Sequence, residues 1–230
     1  MYLLEMHCHC APVSLCASIT PEEEIAKYKA AGYSGIVSTN HINRSTFRDM
    51  EEKTWEEKTA YFLSAYEKLC RCGREADIDV LLACEINLTP KGWPEYIPND
   101  YLVYGITEEW LYALGDPRDL TLHQLKEKTA QSGLLLIHAH PFRTHTVIAD
   151  ERDLDGVEIY NGNEKHDSHD FLAALWARRK GLIQTSGSDL HHAAEHIRGG
   201  IRTKERIRTN AELLLCLREG NCGLIVPEAG

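Results

Sequence analysis

The sequence predicts a closed α/β barrel, and three observations carry that reading. Short apolar runs rich in Val, Ile, Leu and Tyr alternate with longer stretches of helical period. Glycines stop most of those stretches, and His, Asp and Glu recur where the apolar runs end. A chain of 230 residues suits such a barrel as one domain spanning residues 1–230.

The apolar runs predict seven strands, over residues 2–7, 35–39, 80–85, 101–106, 134–138, 156–160 and 182–186. Interleaving with helices implies a parallel arrangement. Thr20-Pro21-Glu22-Glu23 supplies an N-cap, a first-turn proline and early acids, so a helix should run to about Ala31 and stop at Gly32. A long polar helix is expected over residues 51–76. Further helices should cover 121–132, 168–180 and 210–219, stopped by Gly133, Gly181 and Gly220. Residues 87–99, with three prolines and a glycine, read as a long loop, and Asp116-Pro117-Arg118-Asp119 as a turn.

The formal net charge of −10, from 25 Lys and Arg against 35 Asp and Glu, gives no general attraction to extended nucleic acid or an anionic membrane. Small phosphorylated substrates stay possible, because bound cations and a local arginine reverse the field inside one cleft. No apolar run reaches the ~20 residues a membrane span requires. Eight cysteines without paired CxxC spacing, and no leader-like segment ahead of the first strand, lead us to expect a cytoplasmic protein with reduced thiols.

His7 and His9 lie two apart on a strand, so both imidazoles project to one side while Cys8 and Cys10 face the other. His41, Glu85, His138, His140, Asp189 and His191 each end or follow a predicted strand. In an α/β barrel those ends gather on one face. Several imidazoles with a few carboxylates suit Zn, Mn or Fe rather than Mg or Ca. Glu85 could bridge two cations, and a pair about 3.5–4 Å apart would activate a water for attack.

Taken in order, His7-Cys8-His9, Asn40-His41, Glu85, His140-Pro141 and Gly187-Ser188-Asp189-Leu190-His191 resemble the polymerase and histidinol phosphatase (PHP) family, over almost the whole chain. The resemblance implies a distorted seven-stranded β/α barrel, TIM-like, around a trinuclear metal cluster, and phosphoesterase activity. By motif it gives His7, His9, Glu85 and Asp189 to one metal, Glu85 and His140 to a second, and His41 and His191 to a third. It also implies catalytic roles for Glu85, Asp189 and His191. Two histidines of the fullest family pattern are missing: Ser14-Leu15-Cys16 stands at one position and Tyr104-Gly105-Ile106-Thr107 at the other. Two or three divalent cations are therefore expected, with Cys16 either a thiolate ligand or an inert thiol. His138 either supports a ligand or belongs to the core.

Arg143 is the candidate phosphate clamp, set against a solvated loop arginine. Asn161 and Asn163 are expected to line the cleft, and Arg198 could reach a substrate anion. The expected function is hydrolysis of a small phosphate monoester, histidinol phosphate-like or nucleotide-like, by a metal-activated water. Two alternatives stand beside it. One is an amidohydrolase-type hydrolase, which usually bridges its metals with a strand-end lysine absent from the residues above. The other is a catalytically weak, metal-binding regulatory module.

Overall fold

The computed structural model describes residues 1–94 and 98–227, so residues 95–97 of the expected long loop lie outside it. The elements run β1 (Tyr2–Cys8), α1 (Pro21–Ala30), β2 (Gly35–Ser38), β3 (His41–Ile42), α2 (Trp55–Ala76), β4 (Asp79–Leu88) and β5 (Asn99–Tyr104). They continue α3 (Glu108–Leu114), α4 (Leu122–Gln131), β6 (Leu135–His138), β7 (Gly156–Asn161), α5 (Asp170–Lys180), β8 (Ile183–Gly187), β9 (Ile201–Thr203), α6 (Asn210–Glu219) and β10 (Gly223–Leu224). The seven expected strands correspond to β1, β2 and β4 to β8, and the added β3, β9 and β10 are two or three residues long. Helix α2 starts at Trp55 rather than at residue 51 because Thr54 caps it. Thr54 Oγ1 accepts from Glu57 N at 3.2 Å while Glu57 Oε2 accepts from Thr54 N at 2.9 Å.

One sheet carries the order β10-β9-β1-β2-β4-β5-β6-β7-β8, with β3 paired to β4. Among the seven expected strands the all-parallel arrangement fails at β5, which is antiparallel to both β4 and β6, and the added β9 is likewise antiparallel to β1 and β10. A parallel neighbour needs a crossover of a dozen or more residues, usually helical, and the short link from β4 to β5 shows no helix among its described residues. The sheet nearly closes on itself beyond β8, where Asp189 N donates to His7 O at 2.7 Å and His9 N to Leu190 O at 3.0 Å. No helix among the described residues is long and apolar enough to cross a membrane.

Two apolar layers follow from strand alternation. Leu4, Met6, Val37, Leu81, Ala83, Leu102 and Ile137 pack together inside the barrel, while Cys8, Ile36, Leu82, Cys84, Tyr101 and Leu136 pack outward against the helices. Each fully buried Leu or Ile contributes roughly 1.5–3 kcal/mol. Pairing of β1 with β2 slips between Glu5 and Cys8. That irregularity lets His7 face inward directly after the inward Met6, so the imidazoles of His7 and His9 rise above the apolar interior.

Glu24 of α1 is fully buried, and its carboxyl lies against the Cys8 and Cys10 thiols on the outer face of β1. Burial pushes its pKa from 4.5 up to about 7. Between those values the folded state holds a proton that the unfolded chain has lost, so stability falls as pH rises through that window, by up to roughly 1.4 kcal/mol per pH unit. Glu24→Gln removes this slope. In denaturant titrations from pH 5 to pH 7.5 the variant should gain on the parent protein as pH rises; parallel profiles would contradict the assignment.

Candidate metal centre

Glu85, on the inward face of β4, is the point of convergence. His7 Nε2 lies 3.3 Å from its Oε1 and His9 Nε2 3.3 Å from its Oε2, while His41 Nδ1 lies 3.0 Å from Oε2 and His140 Nε2 3.5 Å from Oε1. Asp189 Oδ1 completes one side, 3.4 Å from His7 Nε2 and 3.3 Å from His9 Nε2. His191 joins through its ring, whose centroid is 4.5 Å from that of His9, and His41 stacks on His9 at 4.3 Å. All seven residues named above as metal ligands thus meet at one end of the barrel.

Neighbouring groups fix how these side chains point. His7 Nδ1 donates to Glu158 Oε1 at 2.8 Å, and because a carboxylate only accepts, Nε2 is left to face Glu85 and Asp189. His191 Nδ1 donates to the Asp189 carbonyl at 2.8 Å, which likewise leaves its Nε2 for a ligand. Glu158 Oε2 accepts from His140 N at 3.0 Å and from Asn161 Nδ2 at 2.9 Å. Glu5 Oε1 accepts from Ser188 N at 2.8 Å, which ties the turn before Asp189 to β1. His140 (φ 29°) and Asp189 (φ 50°) both hold left-handed backbone immediately beyond strand ends, at a cost of about 1–3 kcal/mol each. Only glycine fits at 187, since a Cβ there would stand 2.2 Å from the Cβ of His7.

Among the described residues neither Glu85 oxygen has a hydrogen-bond partner, nor do His7 Nε2, His9 Nε2 or His41 Nδ1, although all these atoms are buried. Burying so many polar atoms without donors or acceptors carries a large penalty unless a cation satisfies them. The donor atoms of His7, His9 and Glu85 lie within 4.8 Å of one another, as do those of His9, His41 and His191, and of His41, Glu85 and Asp100. The set fits divalent metals. Burial opposes charge on His7, yet Glu158, Glu85 and Asp189 outweigh it and hold its pKa well above 6.5. His41 is raised in the same way, burial being outweighed chiefly by Glu85, whereas burial and its imidazole neighbours push His9 well below.

A cleft of about 250 Å³ opens onto the cluster, lined by Cys16, Arg143, Asn163, Lys165, His166 and His192 beside the ligands. Arg143 Nη2 donates to Asp189 Oδ2 and to Asn161 Oδ1, both at 2.8 Å, while its buried Nε has no partner. Asn163 Nδ2 reaches Asp189 O at 3.3 Å, so both asparagines support the Asp189–Arg143 pair. The Arg198 guanidinium lies outside the cleft lining, paired with Glu164. Cys16 is exposed at the mouth, where the neighbouring His191 and His41 outweigh burial and lower its thiol pKa to about 6. His138 is fully buried away from the cluster, stacked on Tyr101 at 5.0 Å and edge-on to Trp176.

Sequence reading missed Glu158 and Asp100. An acid inside the apolar run 156–160 was the available signal for Glu158. For Asp100 there was none: residues 104–107 stand where the resemblance implies a histidine, whereas in the antiparallel β5 it is the first residues that lie at the cluster end of the sheet.

A family model described as PHP domain matches residues 5–223. No curated protein matches the chain. Among solved structures, it resembles a two-domain protein from Bacteroides vulgatus containing a predicted PHP-like metal-dependent phosphoesterase, with 13% identity and a TM-score of 0.69. The alignment covers 98% of this chain and 64% of that one. PsfC from Pseudomonas syringae aligns at 15% identity and a TM-score of 0.66, over 99% of this chain and 92% of its own. An amidohydrolase from Chromobacterium violaceum, solved with bound sulfate and no metal, aligns at 14% identity and a TM-score of 0.61, over 96% and 97% of the two chains. These likenesses show the fold.

Protons and cations compete for the same nitrogens. Because His7 and His41 hold protons more tightly than free imidazole, apparent affinity for Zn or Mn should climb steadily from pH 6 to pH 8, with proton release on binding. Calorimetric titration in buffers of different ionisation enthalpy measures both. Affinity independent of pH, with no proton release, would contradict the ligand set.

Proposed function

This chain belongs to the PHP domain family, and from that premise we propose that it is a metal-dependent phosphoesterase that hydrolyses a small phosphate monoester, histidinol phosphate-like or nucleotide-like. The observation that carries the reading is Arg143. It is anchored by Asp189 and Asn161 through one nitrogen, and its unpartnered Nε is buried beside the ligand cluster. A guanidinium held in that way offers its remaining N–H groups as a fork for two phosphoryl oxygens. A cleft of about 250 Å³ admits a phosphoryl group and a compact leaving group, and excludes a folded nucleic acid.

When bound, two or three divalent cations of the Zn, Mn or Fe kind would neutralise phosphoryl charge and acidify a water. Glu85 is placed to be shared between them, and His7, His9, His41, His140, Asp189 and His191 to hold them. Lys165, His166 and His192 add donors at the mouth, where the phosphate enters. Asp189 serves both halves of the site. Its Oδ1 faces His7 and His9 while Oδ2 fixes Arg143, so metal and phosphate positions are coupled through one carboxylate. The Chromobacterium protein's description as an amidohydrolase favours a second reading, amide hydrolysis, against which the buried lysine among the described residues, Lys58, pairs with Asp116 rather than with the cluster.

The test is elemental analysis of chelator-free protein, joined to a panel of phosphate monoesters, diesters and amides. Phosphate monoesters should turn over. Asp189→Ala and His9→Ala should each lose metal and at least about 100-fold in kcat/KM, and Arg143→Ala should raise KM for the ester roughly tenfold. Full metal and full activity in the first two variants, or turnover of amides alone, would refute the proposal.

A further inference from the structure

Asp100 has no place in the motifs, yet the sheet delivers it to the cluster. Because β5 runs antiparallel, its second residue arrives at the end of the barrel where the parallel strands terminate, opposite Asn87 in the β4 register. Asn87 Nδ2 donates to Asp100 Oδ1 at 2.7 Å. The other oxygen, Oδ2, is 3.8 Å from His140 Nε2, beyond hydrogen-bond reach. It faces the same space as Glu85, both of whose oxygens are buried without partners. Asp100, Glu85 and His41 bring donor atoms within 4.8 Å of one another. Among the described residues neither carboxylate forms an ion pair with a lysine or arginine, only with imidazoles, and a shared cation is a charge that this geometry accommodates.

Resting on the reading of the cluster as a metal centre, we propose that Asp100 is a ligand of the cation on the His140 side of Glu85, with Asn87 as the residue that aims its carboxylate. Its donor set is then Glu85, Asp100, His41 and His140, as against the His7, His9, Glu85 and Asp189 set on the other side. A second carboxylate in place of an imidazole makes the position harder, which favours Mn over Zn there relative to an all-histidine arrangement. The missing histidine at residues 104–107 is thereby replaced by an acid from the strand's other end.

The experiment uses the full chain, loaded with Mn2+ and separately with Zn2+, and reads metal stoichiometry and the electron paramagnetic resonance of the Mn2+ form. The parent protein should show exchange-coupled Mn2+. Asp100→Asn should lower stoichiometry by one cation per chain and weaken the exchange coupling. Asn87→Ala, which keeps the carboxylate, should weaken that cation roughly 10–100-fold without abolishing it. Asp100→His should retain the cation and shift its preference from Mn towards Zn. Unchanged stoichiometry and coupling in Asp100→Asn would overturn the assignment while leaving the metal centre intact; if that variant does not fold, unchanged affinity in Asn87→Ala overturns it equally. A parent protein that binds no cation at all would overturn the metal centre and this assignment together.

Discussion

Glu85 is buried with the nitrogens of His7, His9, His41 and His140 within 3.5 Å and, among the described residues, no hydrogen-bond partner for either of its oxygens. A carboxylate stripped of water in that way is among the costliest groups a barrel can hold. In the metal-free chain, protons retained by His7 and His41 offset part of the cost; cations would offset it more completely, because each takes several donors at once. The rest of the molecule can be understood as the scaffold that makes this concentration of donors possible.

Much of that scaffold works by bending rules at strand ends. The irregularity in β1 turns His7 inward beside Met6, and a second one in β7, between Glu158 and Tyr160, follows the acid that orients His7. Gly187 clears room for His7, and left-handed residues at 140 and 189 aim His140 and Asp189 across the barrel mouth. Glu5 stands behind the ligands, accepting from Ser188 N and Oγ and from Tyr28 OH, so β1, α1 and the turn before Asp189 move as one piece. Local strain at the mouth is balanced by the fully packed apolar interior beneath it.

The barrel's strands were legible because each is a short apolar run between helical stretches, and α1, α4 and α6 because glycines follow their ends; the seven-residue α3, capped by Thr107 and directly after a strand, was not expected. Strand direction was not legible, since an antiparallel β5 has the same local pattern as a parallel one. That single ambiguity hid Asp100. Spacing pointed to the His7 and His9 pair and the family resemblance to His41, His140 and His191, but neither pointed to Glu158: nothing in a strand's composition says which buried acid will meet an imidazole 151 residues earlier. Of the two readings open for His138 the structure shows the core one, because the left-handed turn at His140 lets that ring face the cluster while His138 stacks on Tyr101.

If the buried donors are energetically incomplete without cations, metal must stabilise the fold as well as the site. Calorimetric melting of the chelator-stripped protein, and of the same sample reloaded with Mn2+ or Zn2+, measures that directly. At cation concentrations about 1,000 times the dissociation constant, binding should add roughly 4 kcal/mol and raise the melting temperature by several degrees. Identical melting curves for the stripped and reloaded protein would contradict it.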